Sequence, residues 1–176
     1  PAEGLVRSFV ADPDGETNDA KLIPALIPSA REVIAGPRLW VLDRQFCDLT
    51  QPLVLATDGD HFVIRFHPKN SFHLDDSRAP RESQDVTNRT VFEEWGWLGG
   101  KNSKCRIYVR RLRLQRPGEE EIILVTDLLD EVVYPMVDLL AVYLERWEIE
   151  QVFQQITEVF HLQRLIGSTP PRPLSR

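Results

Sequence analysis

The pattern of hydrophobic and polar residues in the first sixty-six positions predicts two strands joined through a short helix. Residues Leu39–Leu42 form a continuous apolar run that ends at Asp43, and such a run is typical of a central strand covered on both faces. A polar turn over 58–60 separates it from a second run, Phe62–Phe66. The other elements expected here are a strand over 4–10, a helix over 21–34 that Pro24 and Pro28 would break or kink, and a short helix over 49–57.

The middle of the chain is rich in residues that favour β-structure. Residues 67–90 are polar, with prolines and scattered charges, so we expect a loop or an irregular insertion there. The segments 90–97, 105–114 and 121–126 have the β-branched and aromatic content of strands. The predicted fold class is therefore α/β, with a block of mostly strands before a final long helix.

That helix is predicted from about Pro135 to about His161, and it carries the most informative polar residues of the chain. Tyr143, Arg146 and Glu150 are three and four residues apart. At about 100° per residue they project into one narrow sector of the helix. A hydroxyl, a guanidinium and a carboxylate on one face make a plausible site for a metal ion and a phosphate, provided that this face points into a cleft rather than into water. The apolar residues that the same helix can bury are Leu139, Val142, Ile149, Val152, Phe153 and Ile156.

Composition indicates one globular domain in a reducing, cytoplasmic setting. The chain has 176 residues, of which 42% are hydrophobic and 27% charged. No apolar run approaches the ~20 residues that a membrane span needs, so we expect no membrane association. Cys47 and Cys105 are too few for a disulfide framework, and we interpret Cys47 as a packing residue.

The charges are unevenly distributed along the chain. The net charge of −6 argues against a protein that coats nucleic acid by bulk attraction. However, residues 101–118 contain seven basic residues and no acidic one, whereas residues 127–150 contain seven acidic residues and one basic residue, Arg146. The basic segment could contact phosphates and the acidic segment could gather cations, or both could be solvated surfaces of opposite sign.

Asp43 is the second candidate for chemistry. An acid at the carboxyl end of a central strand emerges at the edge of the sheet, where open α/β sheets bind ligands; the alternative is a turn or cap residue. Glu150 alone would be an ordinary helical glutamate, but beside Arg146 it fits a phosphoryl-transfer site, in which a carboxylate holds Mg²⁺ and an arginine grips phosphate. The weaker candidates are Trp95 and Trp97, for base stacking or packing, and Asp127 and Asp130, for an acidic cleft or a helix cap.

These residues carry a resemblance to a known family. The spacing Tyr143-x2-Arg146-x3-Glu150 resembles the Y-x2-R-x3-E-x6-K signature of bacterial insertion-sequence transposases of the DDE type, which have a ribonuclease H-like fold. The segment Val41-Leu-Asp-Arg-Gln-Phe46 is similar to the surroundings of their second catalytic aspartate. The segments that are similar to the strand before the signature helix and to its downstream flank are Leu124-Val-Thr-Asp-Leu-Leu-Asp130 and Leu162-Gln-Arg-Leu165.

The resemblance implies a role for each candidate. Asp43 would be the second catalytic acid and Glu150 the third, and both would bind divalent metal, with two Mg²⁺ or Mn²⁺ ions in the complete enzyme. Arg146 and Tyr143 would contact DNA phosphate near the cleaved bond. The partners would be the transposon terminal repeats and target DNA, on which a homodimer assembles. The resemblance further implies a ribonuclease H-like core over 1–60 and 129–166, a β-rich insertion over 61–128 that helps hold the transposon end, and a disordered tail over 167–176.

Two departures from the family pattern shape the functional prediction. Thr157 stands where the signature has lysine, which removes a cation from the phosphate-binding face. No aspartate lies suitably upstream for the first acid, so we expect it before Pro1, with a core that is incomplete at its N-terminus and a stretch that is inactive alone. The prediction is a transposase catalytic fragment. The alternatives are a decayed or repurposed piece that binds DNA or a partner without catalysis, and an α/β domain whose helix merely packs.

Overall fold

A computed structural model describes residues 19–146 of the chain. The strand expected over 4–10, the signature residues Glu150 and Thr157, the end of the long helix and the tail over 167–176 lie outside the described residues. Between residues 19 and 146, none of the helices has both the length and the apolar character that a membrane crossing requires.

The described residues form a mixed α/β structure, as the sequence predicts. The strands are β1 (Leu39–Leu42), β2 (His61–Arg65), β3 (Phe72–Leu74), β4 (Arg81–Gln84), β5 (Thr90–Leu98), β6 (Ile107–Leu114) and β7 (Ile122–Thr126). The helices are α1 (Ile23–Val33), α2 (Gln51–Leu55) and α3, whose described part spans 136–146, and short 3₁₀ turns cover Asp19–Lys21 and Arg44–Phe46.

All seven strands belong to one sheet. Its order is β1-β2-β7-β6-β5-β3, and β4 pairs with β5 beside β3. Only β1 and β2 are parallel in this part of the chain, and the other pairs are antiparallel. The strands that follow β2 therefore extend the parallel pair sideways through β7 instead of forming a separate sheet.

Helices cover both faces of the sheet, and the alternation of side chains along β2 shows how. Val63 packs in a core cluster with Leu139 and Leu140 of α3, whereas its neighbours Phe62 and Ile64 pack in a second cluster on the other face. The second cluster includes Ile23 and Ile27 of α1, Leu55 of α2, and Cys47, which is buried as expected. Because both faces of β2 are buried, its sequence is a continuous apolar run.

The parallel pair defines two edges of the sheet. Leu39 lies opposite His61 at the amino edge, and Leu42 lies opposite Ile64 at the other end of the pair. The residues that follow, Asp43 and Arg65, therefore mark what we call the carboxyl edge. Helix α3 runs between the two edges, because its earlier residues lie near Leu39 and its residue 146 reaches Asp43.

One local prediction was wrong, and one alternative of a second prediction is excluded. Residues 67–90 are not merely a loop, because β3 and β4 form there and pair with β5. Strand β3 has only three residues, and β4 has the sequence Arg-Glu-Ser-Gln, which contains no hydrophobic residue from which to predict a strand. Pro28 does not break α1, which continues to Val33 because its apolar face, with Ile23, Ile27 and Ala30, is buried against the sheet.

Strand β1 also differs from expectation. It lies at the edge of the described sheet, and Leu39 is exposed while the next three residues are half-buried. The prediction of a central strand covered on both faces is not met between residues 19 and 146, where β2 is the neighbour of β1.

The two tryptophans around Gly96 differ in environment. Trp95 is fully buried and donates its indole N–H to the carbonyl of Leu129 at 3.1 Å, so it is a packing residue. Trp97 is partly exposed, with the guanidinium of Arg106 4.2 Å from its ring centre. Glycine is required between them because a Cβ at position 96 would lie 2.2 Å from the carbonyl oxygen of His73 on β3.

Candidate active site

Asp43 lies at the carboxyl edge, and its side chain makes no hydrogen bond to the turn that follows it. Its backbone is extended, with φ −80° and ψ 175°, and it occupies the cap position of the following 3₁₀ turn, yet its side chain makes no capping hydrogen bond. The carboxylate is 36% exposed. The interpretation of Asp43 as a side-chain cap therefore finds no support, and the carboxylate remains available for another partner.

Arg146 brings α3 to this carboxylate. Its Nη2 atom lies 3.6 Å from Oδ1 of Asp43, and the Arg146 side chain is 17% exposed. This separation is an ion pair, but it is too long for a hydrogen bond. Within the described residues Oδ1 of Asp43 is buried and accepts no hydrogen bond. The strand tip and the signature helix thus meet, and Arg146 faces the sheet edge rather than open solvent.

Tyr143 lies one turn earlier on α3 and is completely buried. Its ring belongs to the core cluster under the helix, and the guanidinium of Arg146 lies 5.4 Å from the ring centre. Its hydroxyl has no hydrogen-bond partner among residues 19–146. Direct contact between this hydroxyl and a phosphate does not agree with such burial, whereas a role in supporting Arg146 does.

The described residues supply one candidate ligand for a divalent metal ion. Oδ1 of Asp43 is an oxygen ligand of the kind that Mg²⁺ prefers, and it lacks a hydrogen-bond donor in the described residues. Asp43 therefore fits as one ligand. No group of three or more His, Cys, Asp or Glu side chains placed to hold a metal ion occurs between residues 19 and 146. Glu150 and Thr157 lie outside the described residues.

Three arginines of the basic segment 101–118 pair with glutamates on or next to neighbouring strands. Arg110 is fully buried and pairs with Glu93 on β5. Arg111 pairs with Glu94 at 2.7 Å, and Arg113 pairs with Glu121 at 3.1 Å. These three arginines hold strands together across the sheet. Their pairing therefore favours neither phosphate contacts nor a solvated surface, which were the two alternatives considered from the sequence.

An arginine cluster that was not predicted from the sequence lies beside Asp43. Arg44 follows Asp43 directly and donates to Oε1 of Glu120 at 2.7 Å. Arg65, at the end of β2, donates to Oε2 of the same residue at 3.0 Å. Arg116 donates twice to the backbone carbonyl of Glu120 and pairs through Nη1 with the side chain of Glu119. The turn between β6 and β7 supplies Arg116 and Glu120, so only the strand register brings these groups together.

The amino edge has a very different carboxylate, Asp60. Its side chain is fully buried and forms ion pairs with Arg31 and Arg38, both at 3.0 Å. The indole of Trp40 and the backbone N–H of Arg38 also donate to it. Burial alone would raise the pKa of Asp60, but the hydrogen bonds from Arg31, Trp40 and Arg38 hold that pKa below its usual value.

A groove of about 460 Å³ also lies at the amino edge, away from Asp43 and Arg146. Leu39, His61 and Val142 are among its lining residues. His61 pairs through Nδ1 with Asp127 at 2.7 Å, and the second oxygen of Asp127 accepts the backbone N–H of Phe62. Asp127 thus ties β7 to β2 and does not cap α3.

The contacts of Asp130 are closer to the predicted role of a helix cap than those of Asp127. It accepts the backbone N–H groups of Val132 and Val133, which form the turn that precedes α3. Neither Asp127 nor Asp130 contributes to the carboxyl edge, because both lie where the chain leaves β7 at the other end of the parallel pair. The chemistry of the two edges is therefore distinct.

Comparison with known proteins gives one assignment. A family model described as a transposase DDE domain matches residues 1–172. No curated protein matches the chain. The matched range contains Asp43, Tyr143, Arg146, Glu150 and Thr157.

Proposed function

The chain belongs to the family of transposase DDE domains, and we propose that it forms part of a ribonuclease H-like catalytic domain that cleaves and joins DNA. The full enzyme hydrolyses the phosphodiester at a transposon end and then uses the freed 3′-hydroxyl to attack target DNA. Family membership supports the class of reaction, and the geometry of the carboxyl edge supports the assignment of residues.

The observation that carries the residue assignment is the approach of Asp43 to Arg146. They are 103 positions apart in the sequence, yet their side chains lie 3.6 Å apart at the sheet edge where ligands bind in open α/β folds. A carboxylate beside a guanidinium suits a metal-bound phosphate, because the ion contacts the carboxylate while the arginine neutralises the phosphate oxygens. This pairing joins the two sequence segments that resemble the family.

Each signature residue then has a distinct role in the proposal. Asp43 and Glu150 hold Mg²⁺ or Mn²⁺, which supplies an activated water and stabilises the leaving oxygen when bound. Arg146 grips the phosphate, and Tyr143 supports Arg146 from the core. Thr157 stands in the position of the signature lysine and offers a hydroxyl in its place. We further propose DNA ends and target DNA as partners, assembly as a homodimer on DNA, and action in the bacterial cytoplasm.

The experiment is a metal-dependent nicking assay in an enzyme that contains this chain together with the expected first aspartate. Asp43→Asn and Glu150→Gln should each reduce strand cleavage by about a thousandfold, because loss of a metal ligand removes several kcal/mol of transition-state stabilisation. Binding of the DNA end should persist. Asp58→Asn, an exposed aspartate at the amino edge, is the matched control. Wild-type nicking by either site variant would refute the assignment.

A second function is favoured by one residue, Thr157. A domain without the signature lysine can retain DNA binding while losing chemistry, and such a piece would serve as a binding module. In the same assay it would bind DNA ends and show no nicking with Mg²⁺ or Mn²⁺. Restoration of nicking by Thr157→Lys would identify the missing cation as the reason.

A further inference from the structure

We infer that Arg44 and Arg65 form a phosphate-binding cluster beside Asp43, and that Glu120 occupies this cluster when no nucleic acid is bound. The inference rests on the proposed function, and it adds a second group of phosphate contacts next to the catalytic acid. The ligand is a phosphodiester of duplex DNA that runs along the carboxyl edge.

The strand register places the cluster on the same side of the sheet as the candidate site. Val41 and Val63 pack in the core cluster under α3, and alternation along a strand puts Asp43 and Arg65 on that same face. Both residues lie one position beyond the last paired residues of β1 and β2. Neighbouring strands are about 4.8 Å apart, so a phosphate near Asp43 is within reach of the Arg65 side chain.

The arginines are held more firmly than the carboxylate that pairs with them. The exposed fractions of the side chains are 31% for Arg44 and 12% for Arg65, whereas Glu120 is 62% exposed. The Nε atoms of Arg44 and Arg65 are buried and have no hydrogen-bond partner in residues 19–146. An exposed carboxylate on two less exposed guanidinium groups can be replaced by another anion.

Glu120 is held in this position by charge. The hydrogen bond from Arg44, with the nearby charges of Arg65 and Arg116, lowers the pKa of Glu120 below its usual value, so the side chain stays ionised at neutral pH. A phosphate offers two anionic oxygens for the same two donors, the Nη2 atoms of Arg44 and Arg65. The bound carboxylate therefore competes with DNA for the same donors.

The test is fluorescence anisotropy of a short labelled duplex with the 176-residue chain, without divalent metal. Glu120→Gln should tighten binding at least about threefold, because it removes the competing anion. Glu82→Gln is the matched control, since Glu82 is exposed on β4 at the far end of the sheet and its substitution changes net charge equally. Arg65→Gln should weaken binding and reduce the slope of log Kd against log salt by about 1.

The gain of affinity keeps the test independent of folding, because a misfolded variant does not bind more tightly. In the Arg44→Gln/Arg65→Gln background the effect of Glu120→Gln should disappear. Equal tightening by Glu120→Gln and Glu82→Gln would overturn the cluster while leaving DNA binding and the transposase assignment intact. Absence of duplex binding by every variant would overturn the cluster and the DNA-binding part of the proposed function together.

Inorganic phosphate as competitor distinguishes the sources of the ligand: if it displaces the duplex only at salt-like concentrations, the site is specific for the polyanion.

Discussion

Two aspartates stand at opposite edges of the same pair of parallel strands, and they differ in almost every physical respect. Asp60, at the amino edge, is fully buried and accepts hydrogen bonds from two arginines and a tryptophan. Asp43, at the carboxyl edge, is 36% exposed, and its contact with Arg146 is 3.6 Å long. A carboxylate with all of its partners in place stabilises the fold, whereas one with an unfilled oxygen is available to a ligand.

The same contrast extends to the arginines at the two edges. Arg31 spreads its guanidinium over Asp58, Asp60 and Thr57, so every direction of the fork is used within the protein. Arg44 and Arg65 instead share one exposed glutamate and keep buried Nε atoms without a partner in the described part of the chain. The hydrogen bonds around Asp60 at the amino edge therefore form a closed structural network. The charged groups at the carboxyl edge form an open site.

The largest effect that separates the two edges is expected in stability. Asp60→Ala leaves two arginines without their buried partner and should lower the free energy of unfolding by about 3–5 kcal/mol. Asp43→Ala should change it by no more than about 0.5 kcal/mol, because the buried Oδ1 of Asp43 accepts no hydrogen bond from residues 19–146. Urea denaturation followed by tryptophan fluorescence measures both values. Equal destabilisation by the two variants would remove the distinction between a structural and a functional aspartate.

Much of the carboxyl edge could be predicted from the sequence because its signals are local. A four-residue apolar run ends at Asp43, and the spacing of Tyr143 and Arg146 is helical, so each residue could be placed on its element without knowledge of the fold. The mixed α/β class followed from the same periodicities. The further prediction, that Glu150 joins Asp43, falls on a residue outside the described range.

The partners of the arginines could not be predicted, because they depend on register. Arg44 and Glu120 are 76 positions apart, and Arg110 meets Glu93 only because β5 and β6 pair with one particular alignment. A basic segment in sequence therefore resembled a phosphate-binding surface, although most of its arginines bridge strands. Strand β4 was missed for a related reason, since an exposed polar strand carries no hydrophobic pattern.

The smallest effect concerns Tyr143, whose buried hydroxyl has no partner among the described residues. Tyr143→Phe removes that hydroxyl and keeps the ring, so the free energy of unfolding should change by no more than about 0.5 kcal/mol and nicking should stay close to wild type. Tyr143→Ala, the control, removes the packed ring and should cost about 3–5 kcal/mol. A strong loss of nicking in a stable Tyr143→Phe variant would contradict this account. It would show that the hydroxyl contacts phosphate directly and that the open site includes Tyr143.

The central claim is that Asp43 and Glu150 bind the same metal ion although they come from distant elements. Iron-directed cleavage of the polypeptide tests it most directly: Fe²⁺ replaces Mg²⁺, ascorbate and peroxide generate radicals at the metal, and mass spectrometry locates the cut peptides. We expect cuts close to both residue 43 and residue 150, and loss of both in Asp43→Asn. Cuts near only one of the two positions, or a pattern that Asp43→Asn leaves unchanged, would contradict the shared site.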